Sequence, residues 1–186
     1  MTSAPRRLLP RRPVPDLELD LLDGKTWRLH EARPQHFTLL IFYRGLHCPF
    51  CAAYLGYLGK RYQEFQEAGV EVVVASCDNY ERARRAQDLW ELGDLPVGYG
   101  LEPELARDWG LYVSEGIPDL DEPALFFEPG LFLINPDGSL YANSVQSMPF
   151  ARPQLYELLE GIRFIVDKDY PARGNRPLST RLDRAS

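Results

Sequence analysis

Two cysteines three positions apart, Cys48 and Cys51, are the residues best suited to chemistry in this 186-residue chain. They enclose the segment Cys-Pro-Phe-Cys, a spacing that allows a reversible disulfide within one turn of a helix. In a reducing compartment, such a pair is more often catalytic or metal-binding than structural. The pair therefore predicts thiol redox chemistry, in which one sulfur attacks and the other resolves the product.

The position of the pair favours Cys48 as the nucleophile. A β-rich apolar run at 37–43 precedes it, and a helical pattern begins at Pro49. A thiolate at such a strand-to-helix junction faces unpaired backbone N–H groups and the positive end of the helix dipole. The pKa of a cysteine can fall there from about 8.5 to between ~3.5 and 7.5. Cys51, one turn into the helix, suits the resolving thiol.

Three neighbours of the pair are predicted to support it. Arg44 and His47 precede Cys48 closely, so we expect both to add positive potential at the sulfur. Pro49 suits the first turn of the helix, where a missing N–H does no harm.

Other uses of the cysteines are open at this stage. A zinc half-site would need a second ligand pair, and no such spacing is found among Cys77, His30, His36 and His47. An iron–sulfur site would need more thiols than the chain has. We expect no metal and no cofactor. Two unreactive core cysteines are the plain alternative for the pair. Cys77 follows the next strand and either lies at the same sheet edge as Cys48 or is a small buried side chain.

The elements that position the pair alternate along the chain. We predict a hairpin over 17–29, strands at 37–43, 70–75, 96–100, 131–134 and 140–145, and helices at 49–68, 78–92, 103–109 and 153–167. Asp78 is the expected cap of the second helix. Residues 111–129 are predicted to be a long loop, whose Tyr112, Phe126 and Phe127 could form a dimer patch. The order implies an α/β fold with a mixed central sheet flanked by helices.

Composition sets the domain organisation and the partner classes. Residues 1–14, where arginines and prolines alternate, are predicted to be a flexible arm, 15–168 one redox domain, and 169–186 a disordered tail. A net charge of −6 and a pI of about 5.1 argue against nucleic-acid binding, although the basic arm is an alternative site for it. No apolar run approaches the ~20 residues that cross a bilayer, and no secretory signal is evident, so we expect no membrane partner and a cytoplasmic location.

The pieces and their order resemble the thioredoxin superfamily and, within it, the alkyl hydroperoxide reductase/thiol-specific antioxidant (AhpC/TSA), or peroxiredoxin-like, family. Pro-Val-Pro-Asp-Leu-Glu-Leu resembles the N-terminal hairpin, Phe-Tyr-Arg-Gly-Leu-His-Cys-Pro-Phe-Cys the active-site segment, and Glu-Pro-Gly-Leu-Phe-Leu-Ile-Asn-Pro-Asp-Gly the late strand and turn. The resemblance covers roughly residues 13–167. It implies a thioredoxin-like fold with an N-terminal β-hairpin, a thiol reductant system such as thioredoxin or glutathione, and a plausible homodimer.

Three positions depart from the family pattern. The family carries Thr or Ser three residues before the reactive cysteine, Pro four residues earlier, and Arg just before Gly-Leu-Phe; this chain has Gly45, Ile41 and Pro129 there. The resemblance implies that the missing Thr and Arg hold and polarise a peroxide. Pro129 instead resembles the proline of thioredoxins that is cis and lies against the Cys-x-x-Cys; an ordinary loop proline is the alternative.

Three functions follow from these features. The departures favour thiol–disulfide exchange, with Cys48 attacking a protein disulfide and Cys51 resolving the mixed disulfide. The alternative is a divergent thiol peroxidase that reduces a small peroxide through a Cys48 sulfenic acid, with Arg44 replacing the missing Arg. The third is a non-catalytic redox sensor or binding module, in which the segment 111–129 contacts a partner.

Overall fold

The two apolar, β-rich runs form the centre of the sheet. The computed structural model of the chain describes residues 7–176. In it, the first run forms strand β3 (Phe37–Phe42), and the second forms the strand Val70–Ala75. They pair in parallel, with Phe37 opposite Val70. All six residues of β3 are buried, as expected for a strand that is covered on both faces.

Residues 7–176 form nine strands in two sheets. In chain order they are β1 (Glu18–Leu21), β2 (Thr26–Arg28), β3, β4 (Val70–Ala75), β5 (Val97–Tyr99), β6 (Val113–Glu115), β7 (Leu125–Phe127), β8 (Gly130–Ile134) and β9 (Leu140–Val145). The main sheet has the order β2-β1-β5-β4-β3-β8-β9, and β6 pairs with β7. The β3–β4 and β4–β5 pairs are parallel and the others antiparallel. This confirms the predicted mixed sheet and N-terminal hairpin.

Helices cover both faces of that sheet. They are α1 (Pro49–Glu67), α2 (Tyr80–Leu89), α3 (Ala106–Trp109) and α4 (Leu155–Lys168), with short 3-10 turns at Leu29–Glu31 and Pro103–Leu105. Alternation along β3 divides the apolar side chains between two cores. Leu39 and Ile41 pack in one core with residues of α1, α2 and α4, whereas Leu40 and Phe42 pack in the other with Trp109. No helix of residues 7–176 is long and apolar enough to cross a membrane.

The prediction of a long loop at 111–129 is wrong, because this segment contains β6 and β7, which pair as an antiparallel two-stranded ribbon. Phe126 and Phe127 are 1% and 0% exposed, so they do not form an exposed dimer patch; only Tyr112 of that set is on the surface. Phe127 packs edge-on against Phe42, with ring centroids 5.6 Å apart. The ribbon is therefore held to the sheet by its own aromatic residues.

The predicted flexible arm is wrong for residues 8–14. Leu8 is buried in the second core, and Arg11 N–H donates to the Leu140 carbonyl at 2.7 Å. The predicted tail also packs near its start, where Ala172 is buried and its carbonyl accepts from Arg11 Nε at 2.9 Å. Residues 1–6 and 177–186, which complete the arm and the tail, lie outside the described range.

Candidate active site

Cys48 is the N-cap residue of α1. Its backbone is extended, with φ −97° and ψ 107°, and its Sγ accepts a hydrogen bond from Cys51 N–H at 3.2 Å. Pro49 occupies the first turn, as predicted. Cys48 and Cys51 are free thiols with exposures of 1% and 0%. The structure thus places the two sulfurs together at the junction between β3 and α1, where the sequence predicts them.

The two thiols have opposite acid strengths. The pKa of Cys48 falls to about 6, chiefly because the Cys51 thiol donates a hydrogen bond to it; the Cys51 N–H, Arg44 and the charge of Arg152 add to this, while burial opposes it. The pKa of Cys51 rises well above its usual value because of burial and the same hydrogen bond. At neutral pH, Cys48 is therefore mainly thiolate and Cys51 is the thiol that stabilises it.

Arg44 is held beside Cys48 by two carboxylates. Its Nε lies 3.3 Å from Glu128 Oε1, and its Nη2 lies 3.8 Å from Glu122 Oε1. Its guanidinium carbon is also 4.7 Å from the centroid of the Phe126 ring. The β6–β7 ribbon and its connecting loop therefore position the cation that helps to lower the pKa of Cys48.

His47 has a different role from the predicted one. Its ring is buried, 4.7 Å from the Phe126 ring, and its Nε2 lies 3.8 Å from Glu122 Oε1. Burial and the nearby Arg44 lower the pKa of His47, so it is uncharged at neutral pH. The prediction that His47 adds positive potential is wrong, since burial outweighs the attraction of Glu122.

A second arginine, Arg152, contacts the other thiol. Its Nη2 donates to Cys51 Sγ at 3.1 Å, and its guanidinium carbon is 5.2 Å from the Tyr54 ring centroid. The Tyr54 hydroxyl donates to the Pro153 carbonyl at 2.9 Å, which ties the segment before α4 to α1. Sequence reasoning missed Arg152, because the contact joins residues 101 positions apart and no local pattern marks it.

Comparison with known proteins identifies the family of this chain. The sequence model of the AhpC/TSA family matches residues 10–143. The chain belongs to the AhpC/TSA family. A 1-Cys peroxiredoxin of Medicago truncatula is 35% identical over 68 residues, covering 37% of this chain and 31% of that protein. A selenocysteine-containing peroxiredoxin of Peptoclostridium acidaminophilum is 31% identical over 128 residues, 69% of this chain and 62% of that protein. The chain thus spans less than two thirds of the length of these relatives.

Solved structures share the fold. Peroxidoxin BcpB from Mycobacterium tuberculosis has a TM-score of 0.68 at 19% identity and covers 86% of this chain and 99% of its own. AhpC of Enterococcus faecalis has a TM-score of 0.68 at 22% identity and covers 90% and 99%. These similarities confirm the predicted thioredoxin-like fold.

Gly45, at which the family pattern implies a hydroxyl, lies against the carboxylate of Asp78. A Cβ on Gly45, which has φ +130°, would lie 2.8 Å from both carboxylate oxygens of Asp78. Asp78 is buried, accepts from Leu46 N–H at 2.7 Å and pairs with Arg82 Nε at 2.9 Å. The predicted capping role of Asp78 is wrong, because the side chain of Asn79 caps α2. Asp78 instead holds the loop between Arg44 and Cys48.

Of the two alternatives for Pro129, a cis-proline and an ordinary proline, the structure agrees with the second. Residues 7–176 contain no cis peptide bond. Pro129 is buried, its carbonyl accepts from Gln146 N–H at 2.9 Å, and the following Gly130 pairs with Phe42. It is therefore an ordinary proline at the entry of β8, and this AhpC/TSA member has no thioredoxin-type cis-proline in the described part of the chain.

Cys77 lies apart from the pair. It is half-buried against the second core, whereas Cys48 and Cys51 belong to the first core on the opposite face of the sheet. Burial raises the pKa of Cys77 to about 12. This favours the small buried side chain over a third redox thiol. Across residues 7–176, no three His, Cys, Asp or Glu side chains are grouped to hold a metal ion.

Proposed function

We propose that this AhpC/TSA protein is a thiol peroxidase in which Cys48 reduces a small hydroperoxide. The observation that carries the proposal is the Cys48 sulfur at the start of α1, which accepts from Cys51 N–H at 3.2 Å and whose pKa falls to about 6 with help from Arg44. The thiolate attacks one peroxide oxygen, so an S–O bond forms and the O–O bond breaks. The leaving alkoxide takes a proton and departs as an alcohol, while Cys48 becomes a sulfenic acid.

Arg44 supports peroxide chemistry in place of the family arginine that Pro129 replaces. It helps to lower the pKa of Cys48 and is held in place by Glu122 and Glu128. A cation positioned at the reacting atoms can also stabilise charge that develops on the leaving oxygen. Arg44 is therefore the residue that we assign to peroxide activation.

Access favours a small oxidant. Cys48 is 1% exposed, so a peroxide needs less opening around it than a folded protein that must present a disulfide. Relatives named peroxiredoxins favour the same reading. The sequence-based preference for disulfide exchange rests on three departures from the family pattern, and one of them, Pro129, is trans and so lacks the thioredoxin-type geometry. The peroxidase alternative is therefore the better supported of the two.

Cys51 completes the cycle. Its sulfur attacks the Cys48 sulfenic acid, so an S–S bond forms, the S–O bond breaks and water leaves. Two equivalents of an external thiol, or one dithiol, then reduce the Cys48–Cys51 disulfide and are themselves oxidised. We assign this step to a thiol reductant system such as thioredoxin or glutathione.

A rapid-mixing experiment tests the peroxidase reading. Reduced protein is mixed with hydrogen peroxide or an alkyl hydroperoxide, and sulfenic acid and disulfide are quantified by dimedone trapping and mass spectrometry. We expect oxidation of Cys48 much faster than that of free cysteine, abolished in Cys48→Ser and unchanged in Cys77→Ser. Oxidation no faster than that of free cysteine would rule the function out.

Thiol–disulfide exchange is the second candidate, favoured by the missing hydroxyl at Gly45. The Cys-Pro-Phe-Cys pair can form a local disulfide, which is the chemistry that exchange requires. Reduction of insulin by the dithiol form measures it directly. Fast insulin reduction combined with slow peroxide consumption would reverse the preference.

A further inference from the structure

Arg152 has a charge that the described residues do not neutralise. From residue 7 to residue 176, no carboxylate oxygen lies within 4.0 Å of its guanidinium, in contrast to Arg44. Its Nε and Nη1 are buried without a hydrogen-bond partner, while Nη2 donates to Cys51 Sγ at 3.1 Å. Charged groups shielded from water are normally paired. Among the described residues, the group beside Arg152 that can become an anion is Cys51, whose Sγ already accepts from Nη2.

The position of Arg152 is fixed by groups other than the thiol. Its guanidinium packs over the Tyr54 ring, and the Tyr54 hydroxyl holds the adjacent Pro153 carbonyl at 2.9 Å. Tyr54 does not supply the missing anion, since burial raises the pKa of its hydroxyl. The cation is thus preorganised beside Cys51 before any charge forms there.

Burial is the largest obstacle to ionisation of Cys51, and a reduced Cys48 adds a second one. In that state, Cys51 donates a hydrogen bond to the Cys48 thiolate, and the negative charge there further disfavours a second one. Oxidation to a sulfenic acid replaces the thiolate by a neutral group. After that change, burial still disfavours ionisation of Cys51, whereas the charge of Arg152 still favours it.

We propose that Arg152 is the counter-ion that ionises Cys51 once Cys48 has been oxidised, which makes Arg152 a catalytic residue of the resolving step. The inference rests on the proposed peroxidase function. Cys51 loses its proton beside Arg152, and its thiolate attacks Cys48 Sγ. The S–S bond forms, the S–O bond breaks, and the departing hydroxide combines with the released proton to give water. Arg152 therefore keeps the buried resolving thiol reactive after its partner has lost its charge.

The first test needs no peroxide. Cys48→Ser in the full chain with Cys77→Ser imitates an uncharged Cys48, and Cys51 is titrated by thiolate absorbance, with a Cys51→Ser protein subtracted as the blank. The charged or titratable groups that face Cys51 are then Arg152 and Tyr43. Adding Arg152→Gln is expected to raise the Cys51 midpoint by about 1–3 pH units, the effect of one opposite charge at this range. An unchanged midpoint would overturn the proposal.

Arg152→Lys and Arg163→Gln are the matched variants. The lysine keeps a positive charge near Tyr54 and should restore part of the shift, which a purely structural role for Arg152 would not predict. Arg163 is an exposed arginine of α4 paired with Glu160, so its loss should leave the midpoint unchanged. If Arg152→Gln fails to fold, Arg152→Met, which keeps most of the side-chain stem without the charge, takes its place: a raised midpoint supports the proposal, and an unchanged one overturns it.

The second test separates the two steps of turnover. Rapid mixing with hydrogen peroxide resolves sulfenic acid formation from disulfide formation. We expect Arg152→Gln to slow disulfide formation by about tenfold or more, as expected if the thiolate fraction limits the rate, with a much smaller change in sulfenic acid formation. Unchanged disulfide formation would overturn the inference. Absence of sulfenic acid in the unsubstituted protein would instead overturn the peroxidase function, while the titration still decides the Arg152–Cys51 pairing.

Discussion

The two sulfurs lie one helical turn apart, yet each has its own arginine and the arginines differ in how they are neutralised. Arg44, beside Cys48, is paired with Glu122 and Glu128. Arg152, beside Cys51, has no carboxylate partner in the described part of the chain. The paired arginine is a fixed donor whose field is partly cancelled by its carboxylates. The unpaired arginine has its full effect on a nearby anion.

The backbone makes the same distinction. Cys48 precedes α1, where N–H groups are free, and accepts from the N–H of Cys51 at 3.2 Å. Cys51 lies inside the helix, and both its N–H and its thiol donate hydrogen bonds to the Cys48 sulfur. Position at the helix start therefore favours the first thiolate at the expense of the second. A thiol that ionises second needs a separate cation, and Arg152 meets that need.

Removing each sulfur in turn should produce the largest effects. Cys48→Ser removes the nucleophile, so peroxide consumption should be lost entirely. Cys51→Ser should still consume one equivalent of peroxide and then stop at the sulfenic acid, although with a weaker nucleophile because the thiol donor to Cys48 is gone. Peroxide consumption with intact-protein mass spectrometry measures both. Sustained turnover by Cys51→Ser, with a reductant that contains no monothiol, would show that Cys51 is not needed as the resolving thiol.

The next largest effect is expected at Arg44. The oxidation rate of Cys48 should rise as pH increases through about 6, the pKa of its thiol, because the protonated form is unreactive. Arg44→Gln removes a donor and leaves two carboxylates uncompensated, and both changes raise that pKa. A rise of about one to two units would lower the thiolate fraction at pH 7 from about nine tenths to between about a half and a tenth. The pH profile of sulfenic acid formation measures the shift.

Glu128→Gln is the control for that variant. In the Arg44→Gln background it removes one of the uncompensated charges, so the midpoint should move part of the way back to lower pH. The Ser114 hydroxyl, which donates to Glu128 Oε1 at 2.6 Å, keeps a partner in the glutamine. If the pH midpoint of Cys48 oxidation were the same with and without Arg44, the paired arginine would have no effect on the Cys48 thiolate.

A smaller, structural effect is expected at Gly45. Gly45→Thr restores the family hydroxyl in sequence, but its Cβ would lie 2.8 Å from the Asp78 carboxylate on a backbone with φ +130°. We expect a loss of about 1–3 kcal/mol in the free energy of unfolding and no gain in peroxide rate. Gly138→Ala, also at positive φ but with open space around the new Cβ, should be less destabilising in urea unfolding. A faster peroxide reaction in Gly45→Thr would contradict the view that Asp78 has taken over this place.

Features that depend on neighbouring residues could be predicted from the sequence. The buried strands follow from continuous apolar runs, and the position of Cys48 at a helix start follows from the run before it and from Pro49 after it. The charge of His47 could not be predicted in this way. Its ionisation depends on burial against Phe126, a residue of the β6–β7 ribbon far along the chain.

Features that depend on distant contacts were missed for the same reason. Arg152 meets Cys51 only because α4 packs beside α1. The strands β6 and β7 have three residues each, too few for a periodic pattern, and their pairing depends on aromatic contacts with the sheet. Charges and burial that set the pKa values of the site thus come partly from segments whose role appears only in the folded chain.

The smallest predicted effect tests how firmly Arg152 must be held. Tyr54→Phe keeps the ring beneath the guanidinium but removes the hydrogen bond to the Pro153 carbonyl, worth about 0.5–1.5 kcal/mol. If that bond mainly positions Arg152, disulfide formation should slow by no more than about tenfold, the rate equivalent of about 1.4 kcal/mol, while sulfenic acid formation at Cys48 is unchanged. Tyr57→Phe, an exposed tyrosine of the same helix, is the control and should change neither step. Equal slowing of both steps would mean that the segment before α4 supports the two thiols alike, so that Arg152 does not distinguish them.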